Sequence, residues 1–172
     1  MRADKRTNWR LSTVSGLLLA GYFVPVWMLA AWRIVVSPVQ GLFERPNVAV
    51  AIFISDHLQA QALTTVRFAW LLALGKLTVV AFFMVFAALA VHRAARRARG
   101  GDEALAIALA LGTLISFASM IFASQAGEAA ALRLHATELM LLLGTAIVML
   151  AEPPAVEAER QATGYVLSNP SS

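Results

Sequence analysis

The fold is decided by the stretch from Arg67 to Val91, RFAWLLALGKLTVVAFFMVFAALAV, in which Lys76 is the single charged residue after the first position. A hydrocarbon core about 30 Å thick needs roughly 20 apolar helical residues to cross, and this stretch is long enough. Three more apolar stretches have similar lengths, at about 13–35, 103–124 and 132–151. The sequence therefore predicts an all-α membrane protein with a four-helix transmembrane bundle over residues 13–151, its second span at about 67–91.

The composition agrees with this fold class. Of the 172 residues, 59% are hydrophobic and 14% are charged, and the mean hydropathy is +0.70. A bilayer solvates such a surface directly and requires only that backbone polar groups be paired within helices. Lys and Arg lie mainly at the ends of the apolar stretches, where basic residues set the orientation of a protein in the membrane. The net charge of +4 is explained in this way, and no nucleic-acid partner is expected. The chain has no cysteine, which excludes disulfides and thiolate-bound metals.

The segment from about 47 to 60, between the first two spans, is harder to place. Its apolar run, Val48 to Ile54, is too short to cross a bilayer. We expect either a short interfacial helix, a re-entrant segment, or an outward extension of the second helix. Trp27 and Trp32 lie towards the outer end of the first span, where indole rings prefer the membrane interface.

Basic residues predict the orientation. The N-terminal residues 1–12 and the gap between the second and third spans are both rich in Lys and Arg, the gap containing Arg93, Arg96, Arg97 and Arg99. Because cytoplasmic loops carry the excess of these residues, both termini are expected in the cytoplasm of a bacterial inner membrane. The polar residues 155–172 are then a disordered cytoplasmic tail. The arginine cluster itself is either a topology signal or a contact for anionic lipid headgroups.

Lys76 is the most costly residue in the spans. It lies about 12 Å beyond Phe68, close to the membrane midplane, where a lysine costs about 3 kcal/mol unless it is sheltered. Glu138, in the fourth span, is the acid best placed to pair with it. Arg67 competes for the same carboxylate, but the spacing between Arg67 and Lys76 puts them on opposite faces of one helix. We therefore expect an intramembrane polar pair of Lys76 and Glu138, with Arg67 as the competitor.

Two further groups of residues are candidates. His135 lies one helical turn from Glu138 and, with Asp56 and His57, is expected to form a polar cluster at the outer face. A carboxylate beside a histidine is common without any metal, so neither metal nor cofactor is predicted. In the third span small residues recur every fourth position and predict a helix-packing seam, which meets either another helix of this chain or a partner: Ala104, Ala108, Gly112 and Ser116.

No hydrolase, nucleotide-binding or metalloprotease motif occurs in the sequence. In size and layout the chain resembles small four-span bacterial membrane proteins, but no motif assigns it to one family. The expected function is that of a non-catalytic accessory or structural subunit, in contact with the bilayer and with a membrane-protein partner or a second copy. An oligomeric transporter or channel using Lys76 and Glu138 is the alternative. A haem- or quinone-binding electron-transfer subunit is the third possibility, and a Soret band would identify the haem form.

Overall fold

The computed structural model describes residues 11–44, 47–56, 61–91 and 100–152. These residues form six helices: α1 (Leu11–Val36), α2 (Pro38–Phe43), α3 (Val48–Asp56), α4 (Ala62–Val91), α5 (Gly100–Gln125) and α6 (Ala129–Ala151). The N-terminal residues, the arginine cluster at 93–99, His57 and the predicted tail at 155–172 lie outside the described residues.

Four of the helices, α1, α4, α5 and α6, are long and apolar enough to cross a membrane. Their apolar stretches have a mean hydropathy of 1.8 to 2.3. The predicted fold class, an all-α bundle of four membrane-spanning helices, is therefore confirmed. The helices extend past the predicted spans at several ends; α4, for example, begins at Ala62 and not near Arg67. Helices commonly continue beyond the hydrocarbon core into the interfacial region, which is part of the full bilayer thickness.

The four long helices form a closed ring, in which α1 packs against α4 and α6, and α5 packs against the same two helices. Successive spans run in opposite directions, the up-and-down arrangement of many four-helix bundles. At one end of the ring Ser12 donates two hydrogen bonds to the carboxylate of Glu152, one from its backbone N at 2.9 Å and one from Oγ. A carboxylate beside the first turn of α1 also suits the helix dipole. We call this end of the bundle the terminal end, and the opposite end the α3 end.

Large side chains fill the terminal half of the bundle. Phe23 stacks on Phe83 with ring centroids 5.7 Å apart and meets Trp27 edge-on at 5.1 Å. Phe86, Leu105 and Leu142 belong to the same cluster and are almost fully buried. In lipid the association of helices depends on close packing more than on apolar burial, and this interlocked aromatic and leucine core supplies such packing between the spans.

The α3 half is built differently, because the short helix α3 lies inside it. Residues of α3 share two clusters with residues of all four spans, and Phe53 stacks on Phe122 with centroids 4.6 Å apart. The buried residues of α3 are Ala49, Val50, Ala51 and Ile54. The spans contribute both small and large side chains to these clusters, with Leu72, Leu77 and Phe122 packed against five buried alanines: Ala31, Ala69, Ala73, Ala123 and Ala131. Within the segment expected at 47–60, the described residues thus form a short helix, α3, that packs one face into the bundle.

The helix α2 connects α1 to this segment. Pro38 occupies its first turn, where the missing N–H is not needed. Gly41 lies directly against the end of α1: a Cβ atom there would be 2.6 Å from the backbone nitrogen of Ile34. Only glycine permits such a close approach of two backbones, so α2 is fixed against α1 by this contact.

Candidate functional site

A layer of polar side chains crosses the interior of the bundle between the aromatic half and the α3 half. Trp27, Ser116 and Glu138 each lie about nine residues, or about 14 Å, from the α3 end of their helices. None of the layer's members is more than 3% exposed. The layer consists of Trp27, Asn47, Lys76, Ser116, His135 and Glu138, and we refer to it as the polar layer.

Glu138 accepts hydrogen bonds from three elements of the bundle. Its Oε1 accepts from Trp27 Nε1 at 3.1 Å, and its Oε2 accepts from Ser116 Oγ at 3.4 Å. His135 Nδ1 lies 3.0 Å from the same Oε2, one helical turn away on α6. These contacts tie α6 to α1 and α5. They also supply the polar partners that a buried carboxylate needs when it is removed from water.

Lys76 reaches a different partner. Its Nζ donates to Asn47 Oδ1 at 2.5 Å and lies 5.7 Å from the centroid of the Trp27 ring, within the range of a cation–π contact. The amide of Asn47 continues the chain of contacts, since its Nδ2 donates to the carbonyl oxygen of Gly41 at 3.0 Å. Lys76 therefore joins α4 to the α2–α3 segment at the residue that precedes α3.

Trp27 stands between the two ionisable groups that the sequence paired. Within the described ranges no ion pair of 4.0 Å or less joins Lys76 to Glu138, although their charges are close enough to interact. The indole bridges them, with its N–H directed to Glu138 and its ring facing Lys76. Arg67 does not enter the layer, because it is exposed while Lys76 is buried on the other face of α4.

The other predicted residues divide into those inside the bundle and those outside the described part of the chain. The small residues of α5 face the interior, where a Cβ atom on Gly112 would meet Leu142 at 3.3 Å and Val79 at 3.6 Å. His135 belongs to the polar layer. The side chain of Asp56 and the residues His57, Arg93, Arg96, Arg97 and Arg99 lie outside the described part of the chain. Among the described residues no group of three metal-ligating side chains occurs.

Sequence reasoning missed Asn47 and misplaced Trp27. Trp27 was expected at the interface, but it is 2% exposed, whereas Trp32 is 64% exposed near the α3 end and fits that expectation. The signal for Trp27 was its spacing, because Phe23 and Trp27 lie one turn apart on the buried face of α1. No sequence pattern indicated the role of Asn47, which lies in a segment rich in the turn-forming residues Pro and Gly.

The arrangement leaves the polar layer closed. Every buried side-chain nitrogen or oxygen in the described part of the chain has a hydrogen-bond partner. A depression of about 230 Å³ is present on the surface, lined by Trp32, Arg33, Gln40 and Glu44 among others, but the polar layer does not line it. The layer can hold charge inside the membrane and join helices.

No protein-family model, curated protein or solved structure matches this chain. The architecture is nevertheless that of a small multi-pass membrane protein, because four helices of membrane-spanning length and hydropathy form one bundle with apolar outer faces. The exposed surface of these helices, with residues such as Leu18, Met140 and Leu150 pointing outwards, fits a lipid environment.

Proposed function

We propose that the protein is a non-catalytic accessory subunit of a larger membrane assembly. One observation carries this proposal: the polar layer is saturated by partners within the chain itself. A substrate site is normally a concave pocket into which a few polar groups converge and wait for the ligand. Here the carboxylate of Glu138 and the ammonium of Lys76 are already engaged with Trp27, Ser116, His135 and Asn47. Such a layer serves to hold the helices in register.

The proposed location is the inner membrane of a bacterium, with the terminal end of the bundle in the cytoplasm. The support is the distribution of basic residues, which are most frequent before α1 and between α4 and α5. Ser12 and Glu152 are in contact, so both ends of the described chain emerge on one side of the bundle. Residues 11 and 152 are therefore proposed to lie on the same, cytoplasmic side of the membrane.

The partner would contact the outer faces of α1 and α6. Gly21 on α1 and Gly144 on α6 both face outwards, and a Cβ atom at either position would meet nothing within 4 Å. Small residues on an outer face allow another helix to approach closely, which is how helices associate in lipid. The two helices are neighbours in the ring, so both glycines are available to one partner.

Co-purification tests the proposal. After mild detergent extraction of native membranes, we expect a stoichiometric membrane-protein partner to travel with the chain. Gly144→Leu should reduce partner recovery about tenfold, the effect of losing about 1.4 kcal/mol of association free energy. Ala110→Leu adds similar bulk to an outward position of α5 and is the matched control, expected to leave recovery unchanged. Purification of the chain without any partner, or equal recovery with both variants, would contradict the subunit role.

A second function, ion- or proton-coupled transport by an oligomer, is favoured by one observation. Lys76, His135 and Glu138 are three ionisable groups buried in one layer of the membrane-spanning bundle, and such groups often mark transport pathways. For a transporter we expect Lys76→Met to abolish flux in proteoliposomes while the helical content and elution volume are retained. If the variant changes only assembly or thermal stability, the subunit role is supported instead.

A further inference from the structure

The surface depression at the α3 end lies between the end of α1 and the short helix α2. Its volume of about 230 Å³ is below the range of about 300–1,000 Å³ that holds a drug-sized molecule, so it suits a smaller ligand. Its lining contains an ion pair, in which Nη1 of Arg33 donates to Oε2 of Glu44 at 2.5 Å. Trp32, Val36 and Gln40 also line this space, which we call the α1–α2 pocket.

The two charged side chains of the pocket remain accessible to a ligand. The side chain of Arg33 is 59% exposed and that of Glu44 is 37% exposed, and exposed ion pairs are only weakly favourable, so each side chain can take another partner. A guanidinium has five N–H donors, and the bond to Glu44 uses Nη1 alone. The same bond leaves Oε1 of the carboxylate unused. A cation and an anion thus stand side by side, each with further hydrogen-bonding capacity.

The pocket lies at the level of the lipid headgroups. Trp32 is exposed near the end of a membrane-spanning helix, a position at which indole rings prefer the membrane interface. Exposed charges such as Arg33 and Glu44 are costly within hydrocarbon, which places them in the same interfacial region. From the pocket towards the membrane centre, an exposed apolar stripe on one face of α1 is formed by Val36, Trp32 and Leu29. An acyl chain can lie along this stripe while its headgroup occupies the pocket.

We propose that the α1–α2 pocket binds the headgroup of a phosphatidylethanolamine lipid. The guanidinium of Arg33 binds the phosphate, because its planar, paired donors match the geometry of phosphate oxygens. The carboxylate of Glu44 accepts hydrogen bonds from the primary ammonium group. A short ethylene linker joins the two charged groups of the headgroup, so they can meet two neighbouring side chains of opposite charge at the same time. This inference concerns one surface of the chain and does not depend on the proposed subunit role.

The site should distinguish phosphatidylethanolamine from phosphatidylcholine, although both headgroups carry the same charges. The ammonium group of choline is fully methylated and has no N–H, so it cannot donate a hydrogen bond to Glu44. Both lipids offer the same phosphate to Arg33. The preference for ethanolamine over choline therefore reports on Glu44, whereas the affinity that the two lipids share reports on Arg33.

Lipid binding by the full-length protein tests the proposal. The protein in mild detergent would be titrated with phosphatidylethanolamine and, separately, with phosphatidylcholine of identical acyl chains, and the lipid-bound species would be quantified by native mass spectrometry. We expect phosphatidylethanolamine to bind about fivefold more tightly, a modest factor because the interface is partly hydrated. Soluble phosphoethanolamine at the same concentration should not displace the lipid, since it lacks the acyl chains that pack on the stripe of α1.

Two variants separate the roles of the charges. Glu44→Ala should make the two lipids bind equally, because only the phosphate contact remains. Arg33→Gln should weaken the binding of both lipids about fivefold, because they share that contact. Arg133→Gln removes another exposed arginine near the α3 end, on α6, and is the matched control expected to change neither affinity. Circular dichroism and elution volume would verify the fold of each variant.

Three results would overturn the proposal: equal binding of the two lipids to the unaltered chain, a lipid preference that persists in folded Glu44→Ala protein, or an equal loss of affinity with Arg133→Gln. Displacement of the lipid by soluble phosphoethanolamine would also overturn it, because the ligand would then be held by its headgroup alone and need not come from the membrane. If a variant fails to fold, the comparison of the two lipids on the unaltered chain still decides.

Discussion

Glu138→Ala is expected to lower the free energy of unfolding by about 3–5 kcal/mol, the usual cost of removing one partner from a buried polar network. The substitution leaves the donors of Trp27 and Ser116 without their acceptor inside the membrane and removes the carboxylate beside His135. It also leaves the ammonium of Lys76 without the nearby opposite charge. Reversible unfolding in mixed detergent micelles, followed by Trp fluorescence and circular dichroism, measures the change.

The control for this prediction separates charge from hydrogen bonding. Glu138→Gln keeps an acceptor for the indole but removes the negative charge, so its effect should be smaller than that of Glu138→Ala. Combined with Lys76→Met, which removes the positive charge, it should destabilise the protein by less than the sum of the two single effects. Strict additivity in this double-mutant cycle would mean that Lys76 and Glu138 do not interact. That result would contradict their coupling within the polar layer.

Gly41→Ala should destabilise the protein by about 2–3 kcal/mol, at the upper end of the cost of overpacking. The added Cβ atom would lie 2.6–2.7 Å from backbone atoms of Arg33 and Ile34, which cannot move aside as a flexible side chain can. Displacement of α2 would also shift the Gly41 carbonyl away from the Asn47 amide that donates to it. The same unfolding assay measures the loss.

Gly144→Ala is the matched control for Gly41→Ala, since it makes the same chemical change in a helix. A Cβ atom at position 144 meets nothing within 4 Å, so we expect no loss of stability, and a gain of up to about 1 kcal/mol from the higher helix propensity of alanine. Equal destabilisation by both variants would show that the close approach of α2 to α1 is not the cause.

The four spans could be predicted from the sequence because membrane crossing depends on length and apolar character, which are properties of one segment at a time. The burial of Lys76 followed from the same reasoning, since a charge in the middle of an apolar helix must be sheltered. The opposite placement of Arg67 followed from helical geometry alone, as its exposure on α4 illustrates.

The partners within the site were harder to predict, because they depend on where separate segments meet. Nothing local to Asn47 indicates that the chain returns into the bundle and brings its amide to Lys76. The packing of α3 depends on alanines and larger apolar side chains contributed by all four spans, and none of these residues indicates the contact in its own segment. Tryptophan is likewise common both at interfaces and in cores, and only the contact of Trp27 with Glu138 on another helix shows that it belongs to the interior.

The contact between Ser12 and Glu152 has a consequence for duplication of this architecture. The helices α1 and α6 are neighbours, and Ser12 and Glu152 lie side by side at the terminal end of the bundle. Two copies joined head to tail by a short connector would consequently share the same orientation in the bilayer, with no additional crossing required. A concatenated dimer would therefore contain two bundles with the same orientation in the membrane, and the connector would enforce that orientation.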